Sequence, residues 1–86
     1  MNENNYLPIG SVIKIKNEEQ LLMITGYKVI SEEKTYDYSA CFFPDGILSL
    51  NEVLVFNQDK IDTILFEGYK NDDYNKVNEI LNRWRN

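Results

Sequence analysis

Few side chains in this sequence have the types that catalysis or metal binding needs. The 86 residues include no histidine, the side chain that most often serves as a general base or a metal ligand near neutral pH. Cys41 is the single cysteine and lies in an aromatic segment, so we expect a small buried apolar residue and not a nucleophile. The sequence therefore predicts no enzyme activity, no catalytic residue, no metal site and no cofactor.

The carboxylates also lack a ligand-binding pattern. Asp59, Asp62, Asp72 and Asp73 do not have the spacing of a calcium-binding loop, so we expect solvated turn and helix-cap residues. Asp37 lies between two tyrosines and is expected to be an exposed or hydrogen-bonded strand residue. The glycines are isolated from one another, so none of them builds a phosphate-binding loop.

The positive signal is aromatic, because six Tyr, four Phe and one Trp make up 13% of the chain. Tyr and Trp suit a core or an interface equally well, since each combines an apolar body with a polar tip. Four tyrosines lie in or beside predicted strands that are apolar on both faces. Either some of them form an exposed patch for a protein partner, or the C-terminal helix covers them. These candidate protein-binding residues are Tyr27, Tyr36, Tyr38 and Tyr69.

Five β-prone segments come before one helical segment. Gly26 interrupts the second of them and predicts a bulge, and Pro44-Asp45-Gly46 predicts a turn after the third. A short 3₁₀ turn is expected at 57–60. Apolar alternation and continuous apolar runs predict the strands at 9–16, 21–30, 35–43, 47–56 and 61–69.

The last segment has the period of a helix, predicted at 72–85. Asn71, Asp72 and Asp73 supply a cap and negative charge at its start, and Arg83 and Arg85 supply positive charge at its end. Its apolar residues recur at three-to-four spacing, and Trp84 is expected to be the buried anchor on the sheet. The stripe consists of Tyr74, Val77, Ile80, Leu81 and Trp84.

These elements predict one mainly β domain of α+β character over residues 1–86. The expected architecture is a small curled five-stranded antiparallel sheet or an SH3-like barrel, with the C-terminal α-helix covering the open edge or mouth. Residues 1–6 include several asparagines and are expected to be flexible.

Charge and hydropathy narrow the class of partner. The net charge of −5 disfavours nucleic acid and anionic membrane surfaces. The longest apolar run is about five residues, against roughly 20 for a membrane-spanning helix. No charged, apolar and small-residue succession opens the sequence, so no signal peptide is expected. With a single cysteine, the expected compartment is the reducing cytoplasm, with no nucleic-acid or membrane partner.

Four segments stand in a characteristic order: LPIGSVIKIK at 7–16, LLMITGY at 21–27, YDYSACFFPDG at 36–46 and FNQDKIDTILFEGY at 56–69. Their order and spacing resemble a family of small uncharacterised proteins encoded in Gram-positive type VII secretion clusters, often beside large LXG toxins. The family's usual Tyr-Pro-Glu-Gly turn is Phe43-Pro44-Asp45-Gly46 here, which keeps the turn chemistry. The resemblance implies a cytoplasmic chaperone or targeting adaptor that binds a secreted toxin before export.

Three other functions stay open at this point. A small acidic domain suits an immunity protein that blocks the active site of a basic toxin, because complementary charge speeds association. The chain could also be a structural subunit of a larger assembly. A barrel that binds a small molecule would need a deep pocket with convergent polar groups.

Overall fold

The computed structural model describes residues 5–49 and 52–84. The described residues form one antiparallel sheet followed by a helix, which confirms the predicted mainly β fold with α+β character. The predicted 3₁₀ turn is found at Gln58–Lys60. The elements are β1 (Val12–Ile15), β2 (Leu21–Ser31), β3 (Lys34–Phe43), β4 (Leu54–Phe56), β5 (Ile61–Phe66) and α1 (Asp72–Arg83).

The five strands lie in the order β4-β3-β2-β1-β5, so β5 crosses back to pair with β1. The sheet is open, with β4 and β5 at its edges. Of the two predicted architectures, the curled sheet is therefore found and the closed barrel is not. The ladder between β1 and β5 shifts register twice, between Val12 and Ile13 and between Lys14 and Ile15. Such irregularities twist an edge strand away from further pairing.

The β2–β3 hairpin is the longest element pair and carries the predicted bulge. Its turn residues Glu32 and Glu33 both have positive φ, 52° and 70°, as a two-residue hairpin turn requires. The register shifts between Ile24 and Gly26. A Cβ at Gly26 would lie 2.7 Å from the Ser39 hydroxyl oxygen, so the close approach of the two strands explains the glycine.

Three predicted strands and the predicted helix are longer than the observed ones, among them the strand predicted at 61–69, which ends at Phe66. The strand predicted at 47–56 is reduced to Leu54–Phe56, because the turn after Pro44 continues through bends at 48–49. The strand predicted at 9–16 begins only at Val12, because Gly10 adopts a φ of 91° in a turn. The helix is predicted at 72–85, and the observed helix α1 ends at Arg83; residue 85 lies outside the described residues.

The core lies between one face of the sheet and a second layer made of residues 5–8 and α1. Residues 1–4 lie outside the described residues, and the flexibility expected over 1–6 stays a prediction. Tyr6 in this layer is only 1% exposed and belongs to the core. Its ring contacts those of Tyr27 and Tyr38 edge-on, with centroids 5.7 Å away in each case. The buried core residues are Tyr6, Leu7, Ile13, Leu22, Ile24, Tyr38, Ala40, Phe56 and Leu81.

The helix is anchored by Leu81 and not by Trp84. Leu81 is 4% exposed, whereas Trp84 is 63% exposed at the C-cap, so the prediction that Trp84 is the buried anchor is wrong. Hydrogen bonds to Tyr6 explain the difference: Asn78 accepts from its N–H at 2.9 Å, and the Tyr74 hydroxyl donates to its carbonyl oxygen. They turn the Tyr74–Asn78–Leu81 side of α1 toward the core. The rest of the apolar stripe therefore faces outward.

Candidate functional site

Three tyrosine hydroxyls hold the backbone of residues 6 and 7. The hydroxyl of Tyr38 accepts from the Leu7 N–H at 2.9 Å and donates to Gln58 Oε1 at 2.6 Å. The hydroxyl of Tyr27 donates to the Leu7 carbonyl oxygen at 2.6 Å, and that of Tyr74 donates to the Tyr6 carbonyl oxygen. Part of the aromatic surplus thus satisfies a buried stretch of backbone that lies outside the strands.

Burial makes these hydroxyls still harder to deprotonate than a free tyrosine, whose pKa of about 10 already keeps it protonated at neutral pH. Desolvation raises the pKa of Tyr27 to about 12, and the neighbouring Tyr74 adds to the effect. Desolvation also raises the pKa of Tyr38 and that of Tyr74. The three phenols therefore act near neutral pH as hydrogen-bonding groups and not as acids or nucleophiles.

The four candidate tyrosines occupy different environments. Tyr38 is fully buried, so it belongs to the core and is not part of an exposed patch. Tyr36 is half-buried in β3. Tyr27 is half-buried and Tyr69 is 82% exposed, and these two line the same cavity. The structure thus brings Tyr27 together with two of the other candidates, since its ring centroid lies 6.0 Å from that of Tyr38 and it shares the cavity with Tyr69. Of the four, only the pair Tyr27 and Tyr69 lines the cavity. Whether Tyr27, Tyr36 or Tyr69 contacts a partner stays a prediction.

The cavity shared by that pair, here called the tyrosine groove, is an open apolar groove of about 180 Å³. Tyr27 comes from β2, Tyr74 and Val77 come from the first half of α1, and Tyr69 comes from the β5–α1 connection. Ile9, half exposed, completes the apolar wall. Five apolar or aromatic side chains from separate parts of the chain therefore meet around one concave surface.

The rim of the tyrosine groove is polar and negatively charged. Asn71 and Asp73 line it at the start of α1, where the Asn71 side chain caps the helix by accepting from the Tyr74 N–H at 2.9 Å. Lys70 lies 3.0 Å from the carboxylate of Glu67, so these two charges offset each other. The carboxylate of Asp73 has no such ion pair among the described residues. A cationic group would therefore be favoured beside this rim.

Gly68 fixes the position of Tyr69 relative to Ile9. Gly68 is buried, and its N–H donates to the hydroxyl of Ser11 at 2.9 Å. A Cβ on Gly68 would overlap the carbonyl oxygen of Ile9 and lie 3.1 Å from the backbone nitrogen of Ser11. This backbone contact joins the β5–α1 connection to residues 9–11. Because Tyr69 and Ile9 lie in these two segments, the contact also sets the distance between two walls of the tyrosine groove.

A second exposed surface runs along α1. Val77, Ile80 and Trp84 are 40%, 41% and 63% exposed and recur at three-to-four spacing, and we call them the outer helix stripe. Beyond Trp84 lies a broader cavity of about 600 Å³, which Ile30 and Asp37 also line. Its walls mix apolar and charged side chains. The outer helix stripe begins at Val77 in the tyrosine groove and ends at Trp84 in this second cavity.

The exposed strand β5 forms a third apolar surface. Ile64, Leu65 and Phe66 are each more than half exposed. The register shifts of β5 against β1 and the charge of Asp62 make this edge a poor template for another strand.

The polar residues that the sequence singled out take structural places. Cys41 is 2% exposed, as predicted for a small buried residue. Asp37 accepts from the Gln58 N–H at 2.9 Å, which confirms the predicted hydrogen-bonded strand residue. Within residues 5–49 and 52–84 there is no group of three or more His, Cys, Asp and Glu placed to hold a metal ion. Over the same residues, no helix has the length and apolarity to cross a membrane.

Sequence analysis did not single out Ile9 or Val77 as site residues. The helical period predicts Val77 on the apolar stripe that packs on the sheet, and the apolar pattern predicts Ile9 within the strand at 9–16. Gly68 carried a usable signal, since an isolated glycine after a strand marks a close backbone approach. That signal alone does not identify the residue on the other side of the contact.

Alkaline pH is expected to weaken the fold through Tyr27. A pKa raised from 10.0 to about 12 means that the folded state resists deprotonation, so this contribution to stability is complete below pH 10 and is lost between pH 10 and 12. Tyr27→Phe should cost about 1 kcal/mol at pH 7, the value of one hydrogen bond. Its deficit relative to wild type should then shrink as the pH rises from 10 to 12. Urea unfolding at a series of pH values measures this, with Tyr69→Phe as the control at an exposed hydroxyl. A deficit that stays constant across this range would contradict the prediction.

Comparison with known proteins gives a family and no described activity. No curated protein and no solved structure matches the chain. One family model, described as a domain of unknown function, matches residues 6–77. That span contains all five strands, the buried residue Tyr6 and every residue that lines the tyrosine groove. The chain belongs to this family, DUF4176.

Proposed function

We propose that the protein is a cytoplasmic accessory protein of type VII secretion that binds a secreted LXG-type toxin as a chaperone or targeting adaptor. Its working surface is the side of the molecule formed by the tyrosine groove and the outer helix stripe. The binding is non-covalent, and the partner is a protein. The identity of the partner as an LXG toxin rests on the resemblance of the four sequence segments and not on the geometry.

One observation carries the protein-binding part of the proposal. The helix commits Leu81 to the core and leaves Val77, Ile80 and Trp84 exposed in a continuous line. Single exposed apolar residues are common on any surface, but a line of three at helical spacing beside an apolar groove is the arrangement that protein interfaces use. Trp and Tyr are also the residues most enriched at the energetic centres of interfaces.

The energetics of such a surface suit a chaperone or adaptor. Exposed apolar area disfavours the free protein, and a partner that covers it gains roughly 25 cal/mol for each Å² of apolar surface removed from water. The small sheet provides a rigid support, because the hydroxyls of Tyr27, Tyr38 and Tyr74 are hydrogen-bonded to the backbone of residues 6 and 7. A rigid surface loses little conformational entropy on binding.

Co-purification with separate toxin fragments tests the proposal. The protein is co-expressed with the targeting region of the neighbouring LXG toxin and, in a parallel culture, with its toxic domain. We expect a stable complex with the targeting region, and we expect Trp84→Ala and Ile80→Asp to weaken it. Ile47→Asp is the matched control, because Ile47 is similarly exposed but lies outside these surfaces.

The alternatives give different outcomes in the same experiment. An immunity protein would bind the toxic domain and abolish its activity, and the net charge of −5 would favour a basic domain. Capture of neither fragment would overturn the adaptor function and favour a structural subunit of a larger assembly.

A further inference from the structure

We propose that the tyrosine groove holds one bulky apolar side chain of the protein partner, which carries a lysine or arginine close to that side chain. This inference rests on the proposed protein-binding function and specifies its chemistry. It is argued from the size of the groove, the fixed position of its walls and the charge of its rim.

The size of the groove fits one large side chain. An apolar cavity of roughly 150 Å³ holds a benzene-sized molecule. The tyrosine groove offers about 180 Å³ between Ile9, Tyr27, Tyr74 and Val77, with the exposed ring of Tyr69 at its outer side. Aromatic or branched aliphatic anchors in such pockets dominate the free energy of protein binding, because water is fully excluded around them.

The inner walls of the groove are held in place before any partner binds. The Tyr27 hydroxyl is bonded to the Leu7 carbonyl oxygen at 2.6 Å, and the Tyr74 hydroxyl is bonded to the carbonyl oxygen of Tyr6. The polar tips of both rings are thus satisfied, and the Lys70 ammonium lies 5.8 Å from the centroid of the Tyr74 ring. An anchor side chain would therefore enter without breaking a hydrogen bond of the protein, which limits the cost of binding.

The rim selects the charge next to the anchor. Asp73 lines the groove and Asp72 precedes it in the first turn of α1, while the charges of Glu67 and Lys70 offset each other at 3.0 Å. The helix dipole places only about half a positive charge at this end, which offsets part of the two negative charges. The rim thus stays negative, which favours a cationic residue on the partner.

The same charge disfavours a second copy of this chain as the occupant. Two copies that met groove to groove would bring Asp72 and Asp73 of each protomer together, and like charges within about 8 Å repel at physiological ionic strength. The occupant is therefore a segment of a different protein, with an apolar anchor and an adjacent basic residue.

Selection from a phage-displayed library of random 12-residue peptides tests this chemistry. Wild-type protein should enrich peptides with Phe, Trp, Leu or Met within three residues of Lys or Arg. Synthetic peptides of the enriched sequences should bind Val77→Asp at least about tenfold more weakly, and Asp73→Asn about threefold to tenfold more weakly. Tyr69→Ala, at an 82% exposed position, tests the same wall if Val77→Asp does not fold.

Ile47→Asp is the matched control, because Ile47 is 49% exposed, close to the 40% of Val77, but lies outside both the tyrosine groove and the outer helix stripe. Its affinity for these peptides should stay within about twofold of wild type. The inference is overturned if no sequence is enriched or if the enriched peptides lack a basic residue. It is also overturned if the two groove variants, Val77→Asp (or Tyr69→Ala in its place) and Asp73→Asn, bind the peptides like wild type. A dimer that Val77→Asp dissociates, seen by light scattering, would also overturn it.

Failure of this inference can be told apart from failure of the proposed function. If the toxin targeting region binds wild type and both groove variants equally, the adaptor function stands and the groove is not its anchor site. If the peptides bind as expected but no toxin fragment is captured, the groove chemistry stands and the adaptor function fails.

Discussion

Replacing Leu81 by alanine is expected to lower the free energy of unfolding by about 2–5 kcal/mol, the range for a large-to-small change in a packed core. Leu81 is the one residue of α1 that is buried with the core cluster, at 4% exposed. The described part of the helix offers no second apolar anchor to compensate. For a domain whose total stability is about 5–10 kcal/mol, this loss would leave a large fraction unfolded or detach the helix. Urea unfolding followed by circular dichroism measures it.

Trp84→Ala is the matched control for Leu81→Ala. Trp84 lies three residues further along and is the larger side chain, but it is 63% exposed. We expect its replacement to change the free energy of unfolding by no more than about 0.5–1 kcal/mol. If Trp84→Ala destabilised the fold more than Leu81→Ala did, the observed orientation of α1 would be wrong.

The secondary structure could be predicted from the sequence because its signals are local. The apolar pattern of residues 21–30 and 35–43 identified the central hairpin, and Gly26 marked its bulge. The cap at Asn71 gave the start of the helix to the residue. Each of these features depends on neighbours within a few positions, where the preferences of single residues decide the outcome.

The orientation of the helix could not be predicted in this way. The period of the sequence defines an apolar stripe but not which part of it is buried. Here the choice is made by the hydrogen bond between Asn78 and the Tyr6 N–H, which joins residues 72 positions apart. From sequence alone asparagine is expected at the surface, so the predicted orientation of the helix buries the side that carries Trp84. The stripe that results on the outside is what makes a binding surface possible.

The candidate site was predicted in part for the same reason. Composition indicated more tyrosines than a small core needs, and two of the four candidates line one groove. The fully buried Tyr38 could not be separated from them, because its role depends on contacts with Leu7 and Gln58. Neither contact is visible in the β3 pattern. The surplus of tyrosines predicts that some of them are exposed on a surface, but only the folded structure shows which tyrosines these are.

Gly68→Ala is expected to be about as disruptive as the loss of the helix anchor, although it adds only one methyl group. That group would overlap the carbonyl oxygen of Ile9. The position of Cβ is fixed by the backbone of residue 68 and the oxygen is a backbone atom, so no change of rotamer can move the two apart. Overpacking that forces a backbone shift costs about 1–3 kcal/mol and occasionally more, and we expect the upper end of this range here. The shift would also stretch the buried hydrogen bond from the Gly68 N–H to Ser11. Thermal and urea unfolding should both show the loss.

Two variants separate the parts of this effect. Ser11→Ala removes the hydrogen bond but adds no volume, and it should cost about 1–3 kcal/mol for a buried N–H left without an acceptor. Gly10→Ala places a methyl group where no atom lies within 4 Å, so it should cost only about 1 kcal/mol, from the positive φ of 91°. If Gly68→Ala cost no more than Gly10→Ala, the backbone contact with Ile9 would be looser than observed. Since that contact also sets the spacing of Ile9 and Tyr69, any Gly68→Ala protein that folds should show weaker peptide binding in the tyrosine groove, whereas folded Gly10→Ala should bind as wild type.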